Sequence, residues 1–284
     1  VGRPEAKHGL VAAAYFYALF ENAIAAREGR TRTGQREAMS KLFQPFTKAA
    51  AANPYSQFPV ERTVDFLATP SKENSEFADP FLKWHIAQDA VNQASTLILT
   101  SVGYAKELGI EPDQWIYLHG YSDVKEKLVS ERPDLSKSKA LELAISGAIS
   151  SAGIAAGDIA YRDIYSCFPI VVHLASEVLG LDPVNDQMSM TGGLSFFGGA
   201  GNNYSTHAIA TVVEKLRQDR QAYGLVLANG GFMSKQSAGV YSAKMPQAWA
   251  EISSEALQTK VDAQPECKLL NEDCTAVIEA YTVR

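Results

Sequence analysis

Three stretches of this sequence carry residue types that can hold a carbonyl oxygen or an anion. The first is Tyr165-Ser166-Cys167-Phe168, a phenol, a hydroxyl and a thiol in succession. The second runs from Thr191 to His207, TGGLSFFGGAGNNYSTH, with five glycines and two asparagines before a helical pattern opens. The third is Asn229-Gly230-Gly231, at the end of an apolar run. A glycine-rich turn leading into a helix combines close backbone approach, unpaired N–H donors and the positive end of the helix dipole. The group that gains from this is an anion or a developing oxyanion. The same turn also serves as a tight connection between two elements, so its composition leaves both uses open.

Other chemistries fail on spacing. Gly199-Ala200-Gly201 begins a dinucleotide fingerprint, but Tyr204 stands where the third glycine belongs and the preceding SMT segment makes a weak strand. A P-loop lacks its GK[ST], and Gly193-Leu194-Ser195 is followed by Phe196-Phe197 in place of the glycine that ends a nucleophile elbow. Cys167, Cys267 and Cys274 have neither CxxC nor Cys/His ligand spacing, so no metal site and no disulfide framework is expected, and a reducing, cytoplasmic setting fits. A net charge of −6, with a pI near 5.5 and no basic cluster, argues against nucleic acid or an anionic membrane surface as partner. The apolar run from Gly9 to Phe20 is stopped by Glu21 and is too short to span a bilayer. Acyl or carbonyl chemistry is what remains open.

The elements that must position these stretches follow from periodicity. At 284 residues and 46% hydrophobic, the chain suits one large domain or two smaller ones. Helices are predicted over Gly9 to Glu28 and Gln35 to Ala52, the second stopping before Asn53-Pro54. Pro54, Pro59, Pro70 and Pro80 then punctuate a polar excursion. From Phe81 strands and helices alternate: Ser95 to Ser101 and Trp115 to Gly120 read as strands, with a helix over Val102 to Leu108 between them. A helix over Ser136 to Ala152, a strand over Ile159 to Tyr165 and a helix over Pro169 to Leu179 follow. After the glycine-rich loop a helix runs from Ser205, a suitable N-cap, to Arg217, and a strand covers Leu225 to Ala228. The result is an α/β sheet covered on both faces, with ligands gathering where strand ends meet loops. The tail from about Ala243 is polar, and its last stretch, CTAVIEAYTVR, alternates as a strand would. His8, His85, His119 and His173 stand singly and read as structural.

The series DIYSCF, GGLSFFGGAGNNY and LVLANGGF, at these spacings, resembles the C-terminal half of the thiolase superfamily, in its sterol-carrier-protein-type and thiolase-like branch, often labelled acetyl-CoA acetyltransferase. Gly9 to Phe58 is similar to the thiolase loop domain and Trp84 to Ser101 to the last strand segment of the N-terminal half, so the resemblance covers roughly residues 9–242. It implies an α/β thiolase fold, two stacked βαβ-type halves layered αβαβα, with the first half incomplete. Residues 1–122 would be the loop domain and the remainder of the N-terminal half, 123–243 the C-terminal half, and 244–284 a tail that starts a further β domain or joins the main sheet.

The chemistry implied is carbon–carbon bond formation or thiolysis on coenzyme A thioesters. That chemistry needs a thiolate nucleophile, a second acid/base group and two oxyanion holes. The family's His-Asp-Cys-Phe falls on Tyr165, Ser166, Cys167 and Phe168; its Gly-His-Pro on Gly198, Gly199 and Ala200; its Cys-x-Gly on Ala228, Asn229 and Gly230. No imidazole or thiol is left at the last two, and the nucleophilic cysteine belongs to a segment that would precede Val1. The resemblance therefore makes Tyr165, Asn203, His207 and Asn229 the replacement catalytic groups, and Cys167, Gly198, Gly199, Asn202, Gly230 and Gly231 the substrate-binding ones. It implies no bound cofactor, a coenzyme A thioester as substrate, and acyl-CoA, a second protomer or a partner β-domain protein as partners. A degenerate acyl-CoA-binding protein and a tyrosine-based carbon–carbon lyase are the alternatives.

Overall fold

The computed structural model describes residues 2–247, 253–267, 270 and 272–283. Its N-terminal region is helical: α1 Arg3–Lys7, α2 Ala13–Arg27, α3 Arg32–Ala52 and α4 Val64–Ala68, followed by the short pair β1 Glu76–Ala78 and β2 Phe81–Leu82 and by α5 Val102–Glu107. The α/β region comprises β3 Tyr117–Lys125, α6 Lys139–Ala152, β4 Ile159–Ile164, α7 Pro169–Leu179, α8 Gly193–Phe196, α9 Tyr204–Gln218, β5 Tyr223–Gly230 and β6 Lys235–Ser242, with α10 Ser254–Asp262 behind it. No described helix is long and apolar enough to cross a membrane.

The main sheet has the order β3-β6-β5-β4. β4 and β5 run parallel, with Ile164 opposite Leu227, while β6 is antiparallel to both β5 and β3. Side chains alternate across this sheet. Leu225, Leu227, Ala238 and Val240 enter the large core cluster shared with α2, α3, α6 and α7, whereas Val226 enters a second cluster with Tyr204, Ala208, Val212 and Leu216 of α9. Each face of the sheet thus has its own helices. The exposed edge of β3 is covered by α10: the Lys125 N–H donates to Gln258 Oε1 at 2.8 Å and Gln258 Nε2 donates to the Lys125 carbonyl at 2.9 Å, so one side-chain amide replaces a neighbouring strand.

The predicted helices are present, within a few residues of their expected ends. Ser205 is not the cap of α9: Asn203 holds that position and Tyr204 opens the helix. Ser95 to Ser101 forms no strand among the described residues. It belongs to no regular element, with Ile98 84% and Leu99 93% exposed, because a β-branched run becomes a strand only where a neighbour offers a ladder. For the same reason Thr275–Thr282 of the tail is not a strand; it is held instead by Asn22 Nδ2, which donates to the Tyr281 carbonyl at 2.8 Å. Conversely, β6 was not foreseen. Gly231, with φ +62°, turns the chain back after β5, and Gln236, Ala238, Val240 and Ser242 alternate inward. A division between residues 122 and 123 falls inside β3.

Candidate active site

The C-terminal ends of β4 and β5, the start of α9 and the exposed face of β3 and β6 enclose a cavity of about 640 Å³. Tyr165, Asn202 and Ser205 approach it from the loop side, Ala228, Gly230, Lys235 and Ser237 from the sheet, and Ser254, Glu255 and Gln258 from α10. The sheet's alternation sorts the motif residues. Ala228 and Gly230 share a face with Val226 and border the cavity, and Asn229 between them borders it too but directs its amide to Tyr17 and Cys167 on the other side of the sheet.

On that far face Asn229 is fully occupied. Its Nδ2 donates to the Tyr17 hydroxyl at 2.8 Å and to Cys167 Sγ at 3.4 Å, and its Oδ1 accepts from Gln236 Nε2 at 2.7 Å. Its amide has no N–H left for an oxyanion. Cys167 lies in the same network, where burial pushes its thiol up to about 12, so it stays protonated and unreactive at neutral pH. The structure therefore places both the Asn229 amide and Cys167 behind the cavity wall as scaffold.

The glycine-rich loop is likewise a packing device. Asp163, completely buried, gathers it: its Oδ2 accepts from Ser189 Oγ, the N–H groups of Met190 and Thr191, and Thr191 Oγ1, all at 2.8–3.0 Å, and its Oδ1 accepts from Tyr204 at 2.9 Å. Four of the loop's N–H groups are spent on the protein itself: Gly192 on Ser189 Oγ, Gly193 on Thr191 Oγ1, Leu194 on Ser166 Oγ and Gly199 on the Gln88 carbonyl. Gly192, at φ +110°, lies so close to α3 that a Cβ would come within 2.5 Å of Ala50 Cα. Gly198 abuts Gln93 in the same way. These glycines permit contact with α3 and the 87–93 segment; they do not cradle an anion.

Asn203 holds the 95–101 segment, accepting from the Ser95 N–H at 2.8 Å and donating to the Ser95 carbonyl at 3.0 Å. His207 is buried edge-on against Phe197, outside the cavity lining, and desolvation lowers its pKa, so its ring is neutral at pH 7. Gly231 belongs to the turn between β5 and β6. Of the ten candidate residues, Tyr165, Asn202, Asn229 and Gly230 line the cavity, and the Asn229 amide is already bonded to Tyr17, Cys167 and Gln236.

Among the candidates, the buried His207 Nε2 has no hydrogen-bond partner, and Tyr165 combines an unpartnered hydroxyl with a place in the cavity lining. Its ring packs edge-on to Tyr204 with centroids 5.3 Å apart, and among the described residues its hydroxyl has no hydrogen-bond partner. Burial pushes the phenol well above its ordinary range, so it meets a ligand as a neutral donor and not as a phenolate. The cavity lining carries Lys125 and Lys235 and, against them, Asp123 and Glu255. With glycine and alanine at 198–200 and 228, this part of the site can bind and polarise a carbonyl but holds no thiolate or imidazole of its own.

Sequence reasoning missed Asp163, Tyr17 and Gln236, which carry no local pattern, and the β6 side of the cavity, which went with the strand. The one cluster of described side chains with metal-ligand geometry, Glu28, His173 and Glu177, lies elsewhere, and Arg27 and Arg30 already pair with its carboxylates.

The chain matches no family model. It is 32% identical over 139 residues to the acetyl-CoA acetyltransferase of Schizosaccharomyces pombe, covering 49% of this chain and 33% of that protein. It is 31% identical over 160 residues to acetyl-CoA acetyltransferase 1 of Arabidopsis thaliana, covering 53% and 36% respectively. The chain thus matches about a third of the length of these curated relatives. The solved structure of a monomeric SCP2-thiolase-like protein type 1 from Mycobacterium smegmatis superposes with a TM-score of 0.91 at 40% identity, over 99% of this chain and 62% of that one. A shared fold along nearly the whole chain, at that identity, together with acetyl-CoA acetyltransferases among its sequence relatives, leads to one assignment: the chain belongs to the thiolase superfamily.

Proposed function

We propose that this chain supplies the acyl-CoA cleft of a thiolase-like acyltransferase whose catalytic motifs have been substituted. The observation that carries the reading is the cavity at the ends of β4 and β5, lined together by Tyr165, whose hydroxyl has no hydrogen-bond partner among the described residues, and by the positions of the family's Cys-x-Gly motif, here Ala228 and Gly230. The acyl thioester carbonyl takes a hydrogen bond from Tyr165. The acyl-accepting nucleophile is not among the residues that line this cavity. The solved relative is described as monomeric, which favours acyl-CoA over a second protomer as the partner.

The substitutions at Gly199 and Ala228, the inert Cys167 thiol and the neutral His207 support a second reading, a cleft that binds acyl-CoA without thiolysis. Calorimetric titration of acetoacetyl-CoA into the full natural chain, alongside a thiolysis assay and the Tyr165→Phe variant, separates them. Binding with turnover that collapses in Tyr165→Phe supports the acyltransferase. Binding without turnover leaves the degenerate or lyase reading, and absence of binding overturns the acyl-CoA assignment.

A further inference from the structure

The two loops that border the cavity, after β4 and after β5, are joined through a residue that lines neither. Tyr17 of α2 is 1% exposed, with its ring stacked on Phe168 at 4.1 Å and 12°. Its hydroxyl accepts from Asn229 Nδ2 at 2.8 Å and from the Met233 N–H at 3.1 Å, and the same Asn229 Nδ2 reaches Cys167 Sγ at 3.4 Å. A phenolic oxygen has two useful lone pairs, so these two donors fill its acceptor capacity. The Met233 N–H can only donate, and Gln236 Nε2 pins the other side of Asn229 at 2.7 Å. One turn further along α2, Glu21 Oε2 accepts from the Ile170 N–H at the start of α7. A single helix thus grips residues 167–170 from below while its tyrosine ties them to 229–233.

Resting on the acyl-CoA reading above, we infer that Tyr17 is a positioning residue for the cavity: through its ring on Phe168 and its hydroxyl on Asn229 it sets the separation between Tyr165, three residues before the one, and Gly230, one residue after the other. Tyr17→Phe keeps the stacked ring and removes the oxygen, leaving Asn229 Nδ2 and the Met233 N–H without their acceptor. Both loops then relax independently, and Tyr165 no longer meets the carbonyl held over Gly230 at the required distance, where misplacement of about an ångström is costly.

The test is calorimetric titration of acetoacetyl-CoA into the full natural chain, the Tyr17→Phe and Tyr165→Phe variants, their double variant, and a Ser40→Ala control. Ser40 bonds His85 at 2.9 Å and the Arg36 carbonyl at 2.8 Å, outside both loops, so it reports plain loss of stability. The expected result is affinity on the order of tenfold weaker in Tyr17→Phe, unchanged in Ser40→Ala, with the Tyr17 and Tyr165 losses failing to add in the double variant. Equal affinity in Tyr17→Phe and the unaltered protein, or losses that add, overturns the inference and leaves the acyl-CoA reading standing. If the unaltered protein binds no thioester, that reading falls and this inference falls with it.

Discussion

The two faces of the four-stranded sheet treat their polar groups differently. On the face toward α2 and α7, Tyr17, Asn229 and Cys167 answer one another, while Gln236 ties Asn229 from the side. On the face toward α9, Asp163 is saturated by five bonds at the loop's root, but a short way along, Tyr165 presents a hydroxyl with no partner among the described residues. Groups whose bonds are all made fix backbone, whereas a group left open beside the cavity, as the Tyr165 hydroxyl and Gln236 Oε1 are, is available to a ligand. Chemical type alone does not separate the two roles, since both sets contain phenols and amides.

The comparison is tested hardest at Asp163. Asp163→Ala strips the acceptor from two backbone N–H groups and three hydroxyls in a fully buried place, and each orphaned donor costs about 1–3 kcal/mol. Denaturant unfolding should show a loss on the order of 4 kcal/mol or more; a loss below about 1 kcal/mol would mean the loop is anchored by something else.

Glu21 sharpens the same point with pH. Its carboxylate oxygens accept from Gln35 Nε2 at 2.7 Å and from the Ile170 N–H at 3.1 Å, yet burial raises its pKa from 4.5 to about 7. The folded protein therefore keeps this proton up to about pH 7 while the unfolded chain releases it near 4.5. The group's stabilising contribution is full below pH 4.5 and is lost as pH rises toward 7, a change on the order of 3 kcal/mol. Glu21→Gln, with the Gln35 amide turned over, should gain stability relative to the parent across that window. Parallel pH profiles for the two proteins would show that the carboxyl is ionised in the fold.

Asn203→Ala removes both bonds to the Ser95 backbone, at 2.8 and 3.0 Å, and should cost about 1–2 kcal/mol in thermal or denaturant unfolding. Thioester affinity should be little altered, because the amide is committed away from the cavity. A large loss of affinity with unchanged stability would restore Asn203 to the site.

Much of the fold was legible because helices announce themselves in the 3.6-residue recurrence of apolar side chains, as in Lys139–Ala152 and Pro169–Leu179. Strands were legible only where a partner existed: Ile159–Ile164 formed, and the stronger β-branched run at 95–101 did not. The site was less readable for a geometric reason. Motif spacing located Ala228, Asn229 and Gly230, but not which of them faces the cavity, and the phase of the strand's alternation reversed the assignment of Asn229. Glycines at 192–199 signal close approach equally well whether a ligand or α3 approaches. Buried polar anchors such as Asp163 and Tyr17 form long-range bonds, and nothing in their neighbours' identities announces them.

The smallest expected effect on stability belongs to Tyr165→Phe. The hydroxyl has no hydrogen-bond partner to lose, and the ring keeps its edge contact with Tyr204, so the unfolding free energy should change by no more than about 0.5 kcal/mol. The same substitution removes a donor from the cavity lining. Acetoacetyl-CoA affinity should therefore fall by about five- to tenfold, the worth of one neutral hydrogen bond. This pairing of a silent melt with a weakened isotherm is the reverse of what Asn203→Ala should give. A Tyr165→Phe variant that loses more than about 2 kcal/mol of stability would place its hydroxyl among the saturated groups, and the contrast between the two faces of the sheet would no longer identify the site.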